Sequence, residues 1–370
     1  MTSIADHLAS RKLSVEKAAE KAGMTSERLE QVLAGAEASL SEMRAVAKAL
    51  RVPLSSLMDR EAAEPIKMLF RQTLDQRAVE VSSHVDVLSG QVRDALAIAR
   101  GMPSNLNWLE AFNGLEAKYE AAEIYAQRFR ETFAALDDKE PFQHLSQALN
   151  ELGVFVLFSR DSSIEGVSAI VDGYALMILG ARRFKPRLLF TMGHELGHLV
   201  AHHDKKGGYA HLDQVVDIDE SHGRSEERFA DAFASALLLP RAGVLLTIQA
   251  LREQFSIRGP LGDFEICWLA HIYGASFEVA AKRCEDMQLI PSRGARAFYQ
   301  KILESHKNPE QWAQELGIPE RPDIPVSPST ALLRAAALKV KAGEISVGRA
   351  AELLNVPVSS LYVANSEIRA

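Results

Sequence analysis

The sequence predicts a mainly helical chain with one small β-sheet, an α+β protein of several units, and three observations predict it. Apolar side chains recur at helical spacing through most of the chain, as Met43, Val46, Ala47 and Leu50 do. Extended apolar runs are confined to residues 154–158 and 175–179, the second following a turn at Gly173. Breaks at Gly101-Met102-Pro103 and along the Pro-rich residues 319–325 punctuate the helices. The expected units are an all-helical domain over 1–62, a helical connector over 63–150, a mixed domain with a helical extension over 151–318, and a small helical unit over 326–370.

In chain order, Ile4 and Leu8 open a first helix, and Ser14 caps a second that stops at Gly23. Thr25 or Ser26 caps a third through Leu33, and Ser41 to Leu50 form a fourth, closed by Pro53 and Ser55-Ser56-Leu57. After the connector come the two strands, then helices over about 188–203 and 225–239, the latter ended by Pro240. The last unit echoes the first. Ser14-Val15 and Ala18-Ala19-Glu20 match Ser346-Val347 and Ala350-Ala351-Glu352 at equal spacing, with Gly23 opposite Asn355 and Leu29 opposite Leu361. Both copies read as helix, tight turn, helix; two copies are too few for a solenoid.

With 370 residues, 47% apolar and 25% charged, the chain can bury cores of its own. A formal charge of −7 argues against a nucleic-acid coat over the whole chain and leaves room for a local basic surface. The two cysteines, Cys267 and Cys284, sit in apolar helical surroundings, as small buried hydrophobes in a reducing compartment do. The first residues lack the layout of a secretion signal, and no apolar run approaches the ~18–20 residues that span a bilayer. These features predict a cytoplasmic chain with no membrane partner.

The chemistry gathers in Phe190-Thr191-Met192-Gly193-His194-Glu195-Leu196-Gly197-His198-Leu199-Val200. Four residues apart on a helix, His194 and His198 project from one face and can hold one metal ion. Glu195 is placed to hold the water such an ion polarises. Leu189, Met192, Leu196, Leu199 and Val200 fall on the opposite side, as a core-facing stripe would. Gly197 costs a helix about 1 kcal/mol against Ala, so close approach of another segment is expected there. A catalytic zinc wants a third protein ligand. Ala201 stands where an extended motif would need Gly, although Asp204 could coordinate. The stronger candidate is Glu227, with Asp231 one turn on to accept the free N–H of a ligating histidine, and with Ala230 and Ala234 small enough for close helix packing. Tyr209, His211, His222 and His271 are candidates to stabilise an oxyanion. His202 and His203 are expected as exposed helix-end residues.

Thr191 through His198, then Glu227, Ala230, Asp231, Phe233 and Ala234, then Leu237-Leu238-Leu239-Pro240, resemble the ImmA/IrrE family of metallo-endopeptidases. The resemblance covers about residues 150–290, including the helical segment 268–276; Leu239 stands where Met is common. It implies a zincin-like fold, one Zn2+ per chain on His194, His198 and Glu227, Glu195 as general base, and cleavage of helix-turn-helix repressors.

Residues 3–60 resemble the helix-turn-helix domain of phage-repressor-like (XRE-type) regulators, through Leu13-Ser14, Ala19, Ala22-Gly23-Met24 and Ala47-Lys48-Ala49-Leu50. Such a motif sets its second helix in the major groove, where Ser26, Arg28 and Gln31 could read base edges while Glu27 and Glu30 repel phosphates. The competing reading is that the unit serves homodimerisation or docks a partner repressor. The leading expectation is an intracellular zinc endopeptidase, coupled to this module, that regulates transcription by cutting a repressor or antitoxin-like protein. The alternatives are a DNA-binding regulator whose zinc domain is a non-catalytic sensor, and a pure interaction protein.

Overall fold

The computed structural model describes Ile4, Leu8, residues 13–34, Ala36, residues 38–50, Leu57, and residues 81–159, 164–202, 209–214 and 225–367. It is mainly helical with one small sheet, as the sequence predicts.

Three short helices open it: α1 (Val15–Ala22), α2 (Ser26–Leu33) and α3 (Leu40–Leu50). Ser14 and Thr25 accept backbone N–H groups one turn ahead, and Gly23 ends α1 at φ 67°, a left-handed position that suits glycine. Ser39 and Glu42 cap α3 reciprocally, Ser39 N–H to the Glu42 carboxylate (2.8 Å) and Glu42 N–H to Ser39 Oγ (3.2 Å). Leu8, Ala18, Ala19, Leu29, Val46, Ala47 and Leu50 form this unit's own core. Pro53, Ser55 and Ser56 lie outside the described residues.

The long helix α4 (Val81–Ala99) follows, then single turns at Asn107–Phe112 and Tyr119–Ala121, α5 (Ala122–Phe133) and α6 (Leu145–Glu151). The sheet has four strands, β1 (Phe155–Phe158), β2 (Ile164–Val171), β3 (Tyr174–Leu179) and β4 (Tyr209–Gln214), in the order β1-β3-β2-β4. β1 runs parallel to β3, and β2 antiparallel to both neighbours. Asp172 and Gly173, at φ 52° and 80°, make the two-residue hairpin between β2 and β3. The sequence reading anticipates β1 and β3 but neither β2, whose Glu165, Gly166 and Ser168 interrupt the apolar run, nor the polar edge strand β4.

Two helices carry the predicted motifs, α7 (Lys185–Ala201) and α8 (Ser225–Leu238). Helices α9 (Arg241–Phe255), α10 (Asp263–Tyr273), α11 (Phe277–Asp286), α12 (Gly294–Ser305) and α13 (Pro309–Glu315) extend that layer, and α14 (Thr330–Lys341), α15 (Val347–Leu354) and α16 (Val358–Glu367) end the chain.

The sheet divides two cores. On one side Val156, Ile170, Met177 and Leu179 pack with α7, α8 and the helices after them; Phe129, Phe142, Leu145 and Leu149, read from sequence as connector, belong to the same cluster. On the other side Phe155, Leu157, Val167, Leu176 and Ile178 pack with α4 and with Leu332, Ala336, Ala350, Leu354 and Leu361 of the last helices. The C-terminal unit is thus built onto the sheet. Ser329 N–H donates to Val156 O (2.8 Å) on the edge strand, and the Asn355 amide donates to Phe158 O (3.1 Å). Among the described residues, no single helix is long and apolar enough to cross a membrane.

Candidate metal centre

Helix α7 starts with Pro186 in its first turn, where a missing N–H costs nothing. Thr191 through Val200 are all buried, so the helix is enclosed on every side rather than presenting one core stripe. The sheet covers one face and α8 the other. That second contact explains both glycines. A Cβ on Gly193 would lie 3.3 Å from Ala234 Cβ, and one on Gly197 would lie 3.1 Å from both Ala230 Cα and Phe233 Cδ1. The two helices therefore meet antiparallel and nearly backbone to backbone, which offsets the weak helix propensity of glycine.

This approach carries Glu227 to the histidines. His194 Nε2 and His198 Nε2 are 3.0 Å apart, and Glu227 Oε2 lies 3.3 Å from the first and 3.7 Å from the second. Ligands bound tetrahedrally at ~2.0–2.1 Å sit ~3.3 Å from one another, so the two imidazole nitrogens and the carboxylate oxygen suit a metal ion. Both histidines are buried, and Glu227 is partly exposed, which leaves one side of the group open to solvent. Asp231 Oδ1 accepts from His194 Nδ1 at 2.9 Å, the predicted orienting contact.

Glu195 is wholly buried and points to the sheet rather than across α7. A Cβ on Gly166 of β2 would lie 2.9 Å from Glu195 Cγ and 2.8 Å from Thr191 Cγ2, so glycine is what admits the acid here. His202 is not an exposed helix end. It caps α7, its Nδ1 lies 3.1 Å from His198 Nδ1, and its ring meets Phe229 edge-on, so it holds the second histidine as Asp231 holds the first. Its i, i+4 spacing from His198 was the available signal.

The surroundings narrow the group's identity. Residues 149–285 match the family model of the IrrE N-terminal-like domain, Peptidase_M78. No curated protein matches the chain. The match supports a metallopeptidase of the ImmA/IrrE type, a family that implies a metal ion, and it takes in His194, His198 and Glu227. It does not extend to the N-terminal helices or to α14–α16.

Within the matched residues, His271 is placed away from the metal group. Its Nδ1 faces Pro319 O at 2.9 Å and its Nε2 lies 4.0 Å from Glu310, while burial and then Arg321 hold its pKa below the usual histidine range. Tyr209 and His211 belong to β4, but their side chains, like His203, Asp204 and His222, lie outside the described residues. Cys267 and Cys284 are buried, and burial pushes both thiols up to about 12.

Outside the matched residues, the three residues proposed from sequence to read DNA differ in their surroundings. Arg28 is engaged by Glu42 of α3, through Nε at 2.8 Å and Nη2 at 3.2 Å, and also reaches Gln31 Oε1 at 3.4 Å. Gln31 is exposed and Ser26 half-buried. The Glu42 contact joins positions too far apart for helix periodicity to signal.

Proposed function

We infer that the chain is a zinc-dependent endopeptidase joined to a helix-turn-helix module, and that it regulates transcription by cutting a repressor or antitoxin-like protein. The observation that carries the reading is the convergence of His194 Nε2, His198 Nε2 and Glu227 Oε2 beside the buried Glu195. A zinc ion held there would supply Lewis acidity and lower the pKa of a bound water towards ~7. Asp231 and His202 keep both Nε2 lone pairs directed at one point. Glu195 takes the proton from the attacking water and returns it to the leaving amine. The oxyanion donor belongs to Tyr209, His211 or His222, because His271 is committed to Pro319. The helix-turn-helix shape of α1–α3 supports a regulatory module for a partner protein or operator DNA. With Arg28 engaged by Glu42, Ser26 and Gln31 are the remaining base readers on α2, and a homodimer would present two copies.

The test is metal analysis of the wild type beside His194→Ala and Glu227→Ala, followed by proteolysis with Glu195→Gln. One zinc per chain is expected in the wild type, lost or much weakened in the two ligand variants. Glu195→Gln should keep zinc and lose turnover by at least ~100-fold, the scale of a positioned acid–base group. Full proteolysis by zinc-loaded Glu195→Gln would reject the mechanism.

A further inference from the structure

Strand β2 departs from regular pairing at one place. Ile164 pairs with Gln214 and Gly166 with Asp213, so Glu165 is an extra residue, a β-bulge. Contacts from Gly180, Arg182 and Arg187 hold this bulge in position. Glu165 O accepts from Gly180 N–H at 2.8 Å, and a side chain on Gly180 would collide with Ile164 O. The Glu165 carboxylate, 9% exposed, lies between two guanidinium groups, Arg182 (Nη2 to Oε1, 3.1 Å) and Arg187 (Nε to Oε2, 3.1 Å, with Nη2 on Oε1). Arg187 stands in the first turn of α7, the helix that carries Glu195. A buried carboxylate needs such partners, and this pair ties the strand to the helix.

The residue after the bulge is Gly166, whose missing Cβ makes the space for the Glu195 side chain. The bulge thus turns two successive residues toward α7: Glu165 grips the helix at its first turn, and Gly166 accommodates the acid two turns further on. A slip of β2 would bring Glu165 or Val167 to that position, and neither fits.

The geometry points to Glu165 and Gly166 as positioning residues for the carboxylate of Glu195, with Arg182 and Arg187 fixing the bulge to α7. This rests on the reading of Glu195 as the base. Neither residue touches substrate; Gly166 sets the space and Glu165 sets the register that keeps it over Glu195.

The test uses the full-length, zinc-loaded chain and acetohydroxamate as probe, a small chelator that binds zinc and donates a hydrogen bond to an adjacent carboxylate. The variants are Gly166→Ala, Glu165→Gln and Glu195→Gln, each measured for zinc per chain, melting temperature and hydroxamate Kd. One charge-assisted hydrogen bond corresponds to roughly tenfold or more in affinity. Gly166→Ala and Glu195→Gln should each weaken the probe by about tenfold, and Glu165→Gln by about threefold, with zinc content unchanged. Glu165→Asp, which keeps the charge, should recover more affinity than Glu165→Gln. A purely structural role would lower zinc content and melting temperature together and leave the affinity of the zinc-bound fraction intact. If Gly166→Ala fails to fold, Glu165→Gln decides. Wild-type affinity in the positioning variants, beside a weakened Glu195→Gln, overturns the clamp and leaves the base standing. Wild-type affinity in Glu195→Gln overturns the base assignment, and the clamp with it.

Discussion

The helix pairs at the two ends of the molecule, α1–α2 and α15–α16, share a local code and differ in what they do with it. Each opens on a serine that accepts an N–H three residues on, from Lys17 at 3.4 Å and from Arg349 at 3.1 Å. Each first helix ends on a left-handed residue, Gly23 at φ 67° and Asn355 at φ 52°. The next N–H reaches back to the same place, Met24 to Ala19 O and Val356 to Ala351 O, both 3.0 Å. Ala18, Ala19 and Leu29 are buried in one pair, and Ala350, Ala351 and Leu361 in the other. Beyond that the likeness ends. The first pair closes a core with α3 and exposes Glu27, Glu30 and Gln31; the second is built onto the sheet and exposes Tyr362 and Val363. Caps and small buried residues specify the motif, and the residues outside it decide what the motif is for.

The sharpest way to break this comparison is to remove the matching leucine from each pair. Leu29→Ala and Leu361→Ala should each cost about 2–5 kcal/mol, since both side chains are buried and leave a cavity. The consequences should differ in place. Leu361 shares its core with β1–β3 and α4, so its loss should increase amide exchange in the strands. Leu29 belongs to the N-terminal core, so its loss should loosen α1–α3 and leave zinc content unchanged. Hydrogen-exchange mass spectrometry on both variants checks this. Strand exchange that rises equally in both would show that the two cores are not independent.

What could be read from the sequence follows the same division between local and distant information. The caps at Ser14 and Ser346, the turn at Gly23, the pairing of His194 with His198, and the contribution of Glu227 and Asp231 depend on spacings of three or four residues, which a helix turns directly into a shared face. Even the crowding at Gly197 was visible, because a glycine inside a motif helix needs a reason. The rest depends on residues far apart in the chain. Strand β2 is not legible because Glu165 and Ser168 break its apolar pattern. Both are buried, and Glu165 is matched by Arg182 and Arg187, across a helix start that no periodicity reveals. The same holds for Arg28 with Glu42, and for Asn355, whose αL turn was legible and whose bond to Phe158 O was not.

A smaller effect separates the two roles of the turn residue. Asn355 tolerates the left-handed conformation and also holds the sheet edge, whereas Gly23 does only the first. Asn355→Gly keeps the turn and removes the bond, and should lower stability by about 0.5–1.5 kcal/mol. Asn355→Ala loses both and should cost about 1–2 kcal/mol more, the strain of an Ala at positive φ. Gly23→Ala should show that strain alone, since a Cβ there meets nothing within 4 Å. Denaturant melts of the three variants decide the matter, and Asn355→Gly at wild-type stability would remove the sheet contact from the account.

The smallest effect is electrostatic and belongs to the first pair alone. Glu42 is held at about 2, first by its hydrogen bond from Arg28 and then by Ser39. Its ordinary pKa is 4.5, so the folded unit binds this proton more weakly than the unfolded chain does. The stabilisation is therefore complete above pH 4.5 and declines as pH falls from there through about 2. The pair is only partly buried, so salt should weaken the effect. Amide exchange in residues 13–34 and 38–50 should rise between pH 4.5 and 3, after correction for the intrinsic exchange rate, and Glu42→Gln should flatten that rise. Arg28→Ala should flatten it too, because Glu42 then loses the donor that lowers its pKa most. An unchanged acid response in both variants would mean that the Arg28–Glu42 contact does not persist in solution, and Arg28 would return as a candidate for reading DNA.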